Sequence, residues 1–98
     1  MALTRDAYAL AERVRHTSPD AASRLRKAAV AVPAHVAGAL SEGPDRRREH
    51  VLAARGAIAE VARQAVRSRG ESSRDLARQA ETLDLTVLFE FGAGGSAR

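Results

Sequence analysis

Residues Leu25–Gly38 read LRKAAVAVPAHVAG, a run dominated by small apolar residues with a proline at its ninth position. Alanine is the strongest helix former, and Leu25, Ala29, Val32, Val36 and Leu40 recur at helical spacing, so the stretch predicts a helix with one buried face. A proline inside a helix lacks the amide that would bond the carbonyl four residues back, here Ala29. Its ring also crowds that carbonyl, at a cost of about 3 kcal/mol. The expected object is a buried helix kinked at Pro33, with some other interaction offsetting the freed carbonyl. His35, close to the kink, is one candidate hydrogen-bond partner for it.

The rest of the chain has the same character. Its 98 residues suit one domain, and only Tyr8, Phe89 and Phe91 are aromatic, so there is little from which to build a sheet. Cysteine is absent, which excludes disulfides and thiolate metal sites and suits a reducing cytosol. The amino terminus, MALTRDAYALAERVR, interleaves acids and arginines where a signal peptide would need an apolar stretch. Nowhere do about 18 apolar residues run together, as a membrane span would need. A soluble cytoplasmic protein with no membrane partner is expected.

Four helices are predicted. The first runs from about Leu3 to His16, with Leu3, Ala7, Leu10, Ala11 and Val14 on one stripe. Ser18-Pro19 reads as a helix start, because serine can cap an orphan amide and proline loses nothing at the first helical position. The second helix continues through Pro33 to about Leu40 and closes at Ser41-Glu42-Gly43-Pro44, with glycine for a left-handed turn. The third begins near Pro44 or Asp45, buries Val51, Ala54, Ile58, Val61, Ala62 and Ala65, and ends at Gly70. The fourth opens on Ser72-Ser73-Arg74-Asp75, a variant capping box, and displays Leu76, Ala80, Leu83, Val87 and Phe91. The expected organisation is a bundle over residues 1–91 and a disordered tail over 92–98.

Short connections predict an all-α, antiparallel up-down four-helix bundle with a proline-kinked second helix. If the second turn centres near Glu42–Gly43, residues whose numbers sum to about 85 lie at one level, which sets Gly56 against Ala28 or Ala29. Gly56 is therefore expected at a close helix–helix contact, which would offset the roughly 1 kcal/mol that a mid-helix glycine costs relative to alanine; the other reading is an exposed glycine on a marginal helix. Across the third turn the sum is about 141, which brings Arg63 toward Arg78 and Arg67 toward Arg74.

The formal net charge is +4, from fifteen arginines and Lys27 against twelve acids. Between Asp45 and Arg78 nine arginines face five acids, so the excess sits there. Arginine suits planar recognition of phosphate, although a coding bias gives the same enrichment without function. Arg46-Arg47-Arg48 places positive charge in the first turn of the third helix, where it opposes the helix dipole unless anions compensate. Either phosphate or the local acids Glu42, Asp45 and Glu49 would do so. A second group is Arg63, Arg67, Arg69, Arg74 and Arg78 around Gly70, partly balanced by Glu71 and Asp75. Arg26 and Lys27 extend a patch or line a subunit interface.

Two segments carry a resemblance. Leu25-Arg26-Lys27-Ala28-Ala29-Val30-Ala31-Val32-Pro33-Ala34-His35-Val36-Ala37 and Ala54-Arg55-Gly56-Ala57-Ile58-Ala59-Glu60 together resemble a bacterial four-helix bundle family. The family includes proteins encoded in intervening sequences of ribosomal RNA genes and accessory variability determinant proteins of diversity-generating retroelements. The match covers the second and third helices closely and the first loosely. His35 stands where the family has asparagine, Gly38-Ala39 where it has Glu-Gly, and Ala57 where it has serine. The resemblance implies a homo-oligomer, typically a pentameric ring. For the retroelement members it also implies binding of a reverse transcriptase and its template RNA through a basic surface.

For catalysis the residues offer little, and no enzyme and no cofactor are expected. His16, His35 and His50 form no Glu-x-x-His pair; Glu12 and His16 share a face, but two ligands do not make a metal site. Gly92-Ala93-Gly94-Gly95 precedes no helix and so is no phosphate loop. The aromatics are too few for base stacking. Phe89 and Phe91, two apart on a helix, cannot both face one core, and with Val87 and Leu88 they suggest an oligomer interface or a frayed apolar end. Two readings stay open. One is a basic adaptor that binds RNA or DNA and docks a nucleic-acid enzyme; the other is a structural homo-oligomer or protein-interaction module that binds no nucleic acid.

Overall fold

The computed structural model describes residues 2–68 and 70–93, and among them every regular element is helical. The order is α1 (Ala2–Val14), α2 (Pro19–Ser41), α3 (Pro44–Arg67) and α4 (Glu71–Val87), which continues into a π-helical turn over Leu88–Ala93. Each helix packs on its neighbour in sequence, and α1 also packs on α4, giving a body 46 Å long and 19 × 17 Å across. No described helix is long and apolar enough to cross a membrane.

The core is what the helical periodicity demands. Leu3, Ala7, Leu10 and Ala11 of α1 meet Ala22, Leu25, Ala28, Ala29, Val32 and Ala39 of α2 in one cluster, together with Val51, Ile58, Val61 and Ala65 of α3 and Leu76, Ala80 and Val87 of α4. Leu83 and Phe91 pack against this cluster from partly buried positions, as expected for the stripe on α4. Fully burying each of Leu10, Leu25, Ile58 and Leu76 contributes roughly 1.5–3 kcal/mol. Leu40 departs from expectation, being 69% exposed. Fifteen residues at 100° each carry it about 60° round from Leu25, and Ala39 takes the inward position instead.

The turns fall where the sequence places them, though by different local means. Ser18 precedes Pro19 in the first helical position as expected, yet its side chain makes no capping bond. Gly43 is the residue before α3, with φ −68°, so the expected left-handed turn is absent there; Gly70, at φ 126°, is the left-handed glycine among the described residues. α4 opens at Glu71 with Gly70 in the cap position, so Ser72 lies inside the helix and not at its cap, and the Ser73 hydroxyl is buried with no partner among the described residues. Of the expected tail, residues 94–98 lie outside the described residues, while the backbone at 92 and 93 continues the final helix.

Pro33 sits inside an unbroken α2. The carbonyl it frees, Ala29 O, accepts a hydrogen bond from Thr4 Oγ1 of α1 at 3.2 Å. His35 does not fill that role. It lies six residues beyond Ala29, roughly 120° away round the helix, and turns to His50 instead. Thus the helix defect is met from a neighbouring helix, which ties α1 to α2 at the level of the proline.

Gly56 overturns an expectation. A Cβ built on it would meet no atom within 4 Å, and the residue is exposed. The pairing level was right: His35 and His50, whose numbers sum to 85, touch through Nδ1 atoms 3.1 Å apart. The facing was wrong, because Gly56 lies two residues, about 160° round the helix, from both Ala54 and Ile58, which take the inward positions. Ala28 and Ala29 are buried as expected. The close-approach glycine is Gly38, where a Cβ would lie 2.6–2.7 Å from three atoms of the His50 ring.

Candidate functional site

The arginines divide by what holds them. Arg46 is paired with Glu42 at 3.7 Å and Glu49 at 3.3 Å, the local compensation available to a cation in the first turn of α3. Arg47 instead donates from Nε to Ala39 O at 3.1 Å, satisfying a carbonyl near the end of α2 and fastening the turn. Arg63 pairs with Glu60, and Arg78 with Asp75 at 3.3 Å, both one turn away on their own helices. Arg26, Lys27, Arg48, Arg67 and Arg74 are exposed and make no ion pair among the described residues. Arg69 lies outside the described residues. Arg63 and Arg78 are thus each neutralised within their own helix.

One arginine that the sequence did not single out makes a cross-helix bond. Arg55 of α3 donates from Nε and Nη2 to the two carboxylate oxygens of Asp84 on α4, at 2.8 and 3.2 Å. The hydrogen bonds and charge of Asp84 raise the Arg55 pKa further above its ordinary value. The numbers 55 and 84 sum to 139, close to the register expected across the third turn, so searching that register for opposite charges would have found the pair. Asp6 of α1 is bound to Gln79 of α4 at 2.8 Å, and chiefly this amide hydrogen bond, with help from Arg5 and against partial burial, lowers the Asp6 pKa. Glu60 is lowered likewise, first by Gln64 and then by Arg63, against the opposing effect of burial.

A polar chain also closes the α2–α3 turn. Glu42 Oε2 lies 3.0 Å from His50 Nε2, and His50 Nδ1 lies 3.1 Å from His35 Nδ1. Hydrogen-bond accounting fixes one neutral arrangement: His50 donates Nε2–H to the carboxylate and accepts at Nδ1 from the Nδ1–H of His35. The two rings are tilted by 43° with centroids 5.3 Å apart. Gly38 supplies the space for the His50 ring. No spacing rule announced this chain, since Glu42 lies in the turn and the histidines are fifteen residues apart.

The expected apolar interface at the end of α4 separates into different environments. Val87 is 3% exposed and belongs to the core of its own chain, so it is not available to a partner. Phe91 and Leu88 are half-buried, with Phe91 packed on that core, whereas Phe89 is 75% exposed. Two aromatics two residues apart therefore do face different ways. Further exposed apolar side chains are Val30, Leu52, Val66 and Leu85. In comparisons with known proteins, no family model, no curated protein and no solved structure matches this chain.

Proposed function

We propose that the protein is a non-enzymatic cytoplasmic binding module, an antiparallel up-down bundle bent at Pro33, that self-associates and presents arginines to the phosphates of RNA or DNA. The observation that carries this reading is the set Arg26, Lys27, Arg48, Arg67 and Arg74, exposed and without ion pairs among the described residues. Exposed arginines without carboxylate partners are the groups that phosphate recruits. Two further supports concern architecture: the pairs His35–His50 and Ala39–Arg47 sum to 85 and 86, as antiparallel neighbours require. The resemblance of Leu25–Ala37 and Ala54–Glu60 to the four-helix bundle family extends the reading to docking of a nucleic-acid enzyme, a reverse transcriptase in the retroelement members.

RNA affinity measured by fluorescence anisotropy against salt tests it. Binding should fall steeply with ionic strength, and removing Arg26, Lys27 and Arg74 together should reduce the log–log slope by about 2, near 0.7 per lost single-strand phosphate contact. Absent or salt-independent binding refutes the reading. A second reading, a protein-interaction module without nucleic acid, is favoured by the exposed Phe89, Leu85 and Val66. Under it, reversing Arg48 and Arg74 to glutamate leaves every captured partner unchanged.

A further inference from the structure

The outer face of α3 combines an empty glycine, exposed apolar side chains and a symmetric charge pattern. Gly56 lies at its centre with no atom within 4 Å of a built Cβ, so its backbone is open to another helix. Leu52, 60% exposed, and Ala59, also exposed, share its face at spacings of four and three residues, and Val66, 74% exposed, borders it. Such a face has no partner among the described residues. A solvated helix would carry alanine or a polar residue at 56, because glycine there costs stability and contacts nothing.

The charges on this face say what fits it. Glu49 and Asp45 stand seven and eleven residues before Gly56, and Arg63 and Arg67 stand seven and eleven after it. Seven and eleven residues are close to two and three helical turns, so all four project on the side of Gly56, and all four are exposed. A second α3 laid antiparallel over the first, with the two Gly56 residues crossing, sets Glu49 against Arg63 and Asp45 against Arg67 at both ends. The same operation places Leu52 beside Ala59 and Glu60 of the other copy, and opposes the two helix dipoles. The pattern is self-complementary about a two-fold axis, which is the signature of an isologous contact.

We infer that α3 pairs with α3 of a second copy of this chain, antiparallel and centred on Gly56, to form a two-fold dimer. The present partners of these charges do not prevent it: Glu49 pairs with Arg46 and Arg63 with Glu60, one turn away at exposed positions where such pairs are weak and exchangeable. The contact takes Arg63 and Arg67 out of the phosphate-binding set and leaves Arg26, Lys27, Arg48 and Arg74. The inference rests on the self-association proposed above and specifies its geometry; it uses none of the three residues by which RNA binding is tested, so loss of the dimer and loss of RNA binding are read separately.

Sedimentation velocity across the micromolar range tests the dimer. The native chain should pass reversibly from monomer to dimer. Gly56→Leu should abolish association while keeping the helical circular dichroism and raising the melting temperature, since the added side chain enters open space on a helix. Glu49→Arg alone and Arg63→Glu alone should each weaken the dimer about tenfold, because symmetry applies every reversal twice. The double variant Glu49→Arg/Arg63→Glu should restore it, as the pairs re-form with their signs exchanged. A monomer at every concentration overturns the inference, as does the five-membered ring that the resemblance implies, an assembly indifferent to Gly56→Leu or a double reversal no better than the singles.

Discussion

The two glycines within α2 and α3 occupy opposite situations. At Gly38 the missing side chain makes room for the His50 ring, whereas at Gly56 it leaves a gap that no described residue fills. The surrounding polar contacts differ in the same way. Inside the bundle they join separate helices: Thr4 with Ala29, His35 with His50, Arg47 with Ala39 and Arg55 with Asp84. On the exposed side of α3 they stay within one turn, as Arg46 with Glu49 and Arg63 with Glu60. Contacts of the first kind hold the fold against chain entropy; those of the second mostly decorate one helix.

Filling the inner glycine is the strongest way to break this contrast. Gly38→Ala improves helix propensity by about 1 kcal/mol, but its methyl group drives into a ring held on both sides by His35 and Glu42. Overpacking should win, for a net loss of about 2 kcal/mol in urea unfolding. A second change, His50→Ala, should remove the collision and make the double variant more stable than the sum of the two single effects. Additive effects would show that the His50 ring turns aside freely and that Gly38 is not a packing position.

The proline carbonyl gives the next effect in size. Thr4→Val keeps the shape of the side chain but leaves Ala29 O buried without its donor, at about 1 kcal/mol. In a Pro33→Ala background the restored amide at residue 33 bonds that carbonyl, and Thr4→Val should then cost little. An equal cost in both backgrounds would mean that Thr4 acts through packing alone.

How much of this could be read from the sequence follows from the physics of an alanine-rich helix. Large side chains told their own facing: Leu3, Leu10, Leu25, Ile58 and Leu76 are all buried where the periodicity puts them. Turn positions were legible from Pro19, Pro44 and Gly70, and the level of pairing from loop length, which is why His35 meets His50. Facing at Gly56 was not legible, since alanine is tolerated inside and outside alike and Ala54, Ala57 and Ala59 give no contrast beside it. Thr4 was unreadable as a donor for a different reason: it lies 25 residues from its acceptor, and a lone threonine near a helix start has many possible partners. For the candidate site, the arginines were found but not their division into paired and unpaired members. That division depends on rotamers and on an acid one turn away, which composition does not resolve.

At the outer glycine the sign reverses. Gly56→Ala adds a methyl group to open space on an exposed helix and removes backbone entropy from the unfolded chain, so dilute monomer should gain about 0.8 kcal/mol. The same change at Gly38 loses stability, and the pair of measurements separates the two environments directly. A loss at both positions would place Gly56 in a contact within its own chain and return it to the role first expected of it.

The smallest effect concerns Glu60, whose bonds to Gln64 and Arg63 stay on α3. Those bonds hold its carboxyl pKa below the ordinary 4.5, so its contribution is complete above that pH and disappears as pH falls through the lower folded value. Glu60→Gln should therefore cost about 0.5 kcal/mol at neutral pH, and the deficit relative to the native chain should close as pH falls below 4.5 and through the lower folded pKa. The direction matters more than the size. A deficit that stays constant in acid would assign it to lost packing, and one that grows as pH falls would mean that the protonated acid, not the carboxylate, is the form the fold prefers. Closure of the deficit would assign it to the carboxylate's bonds to Gln64 and Arg63, contacts within one helix, rather than to packing between helices.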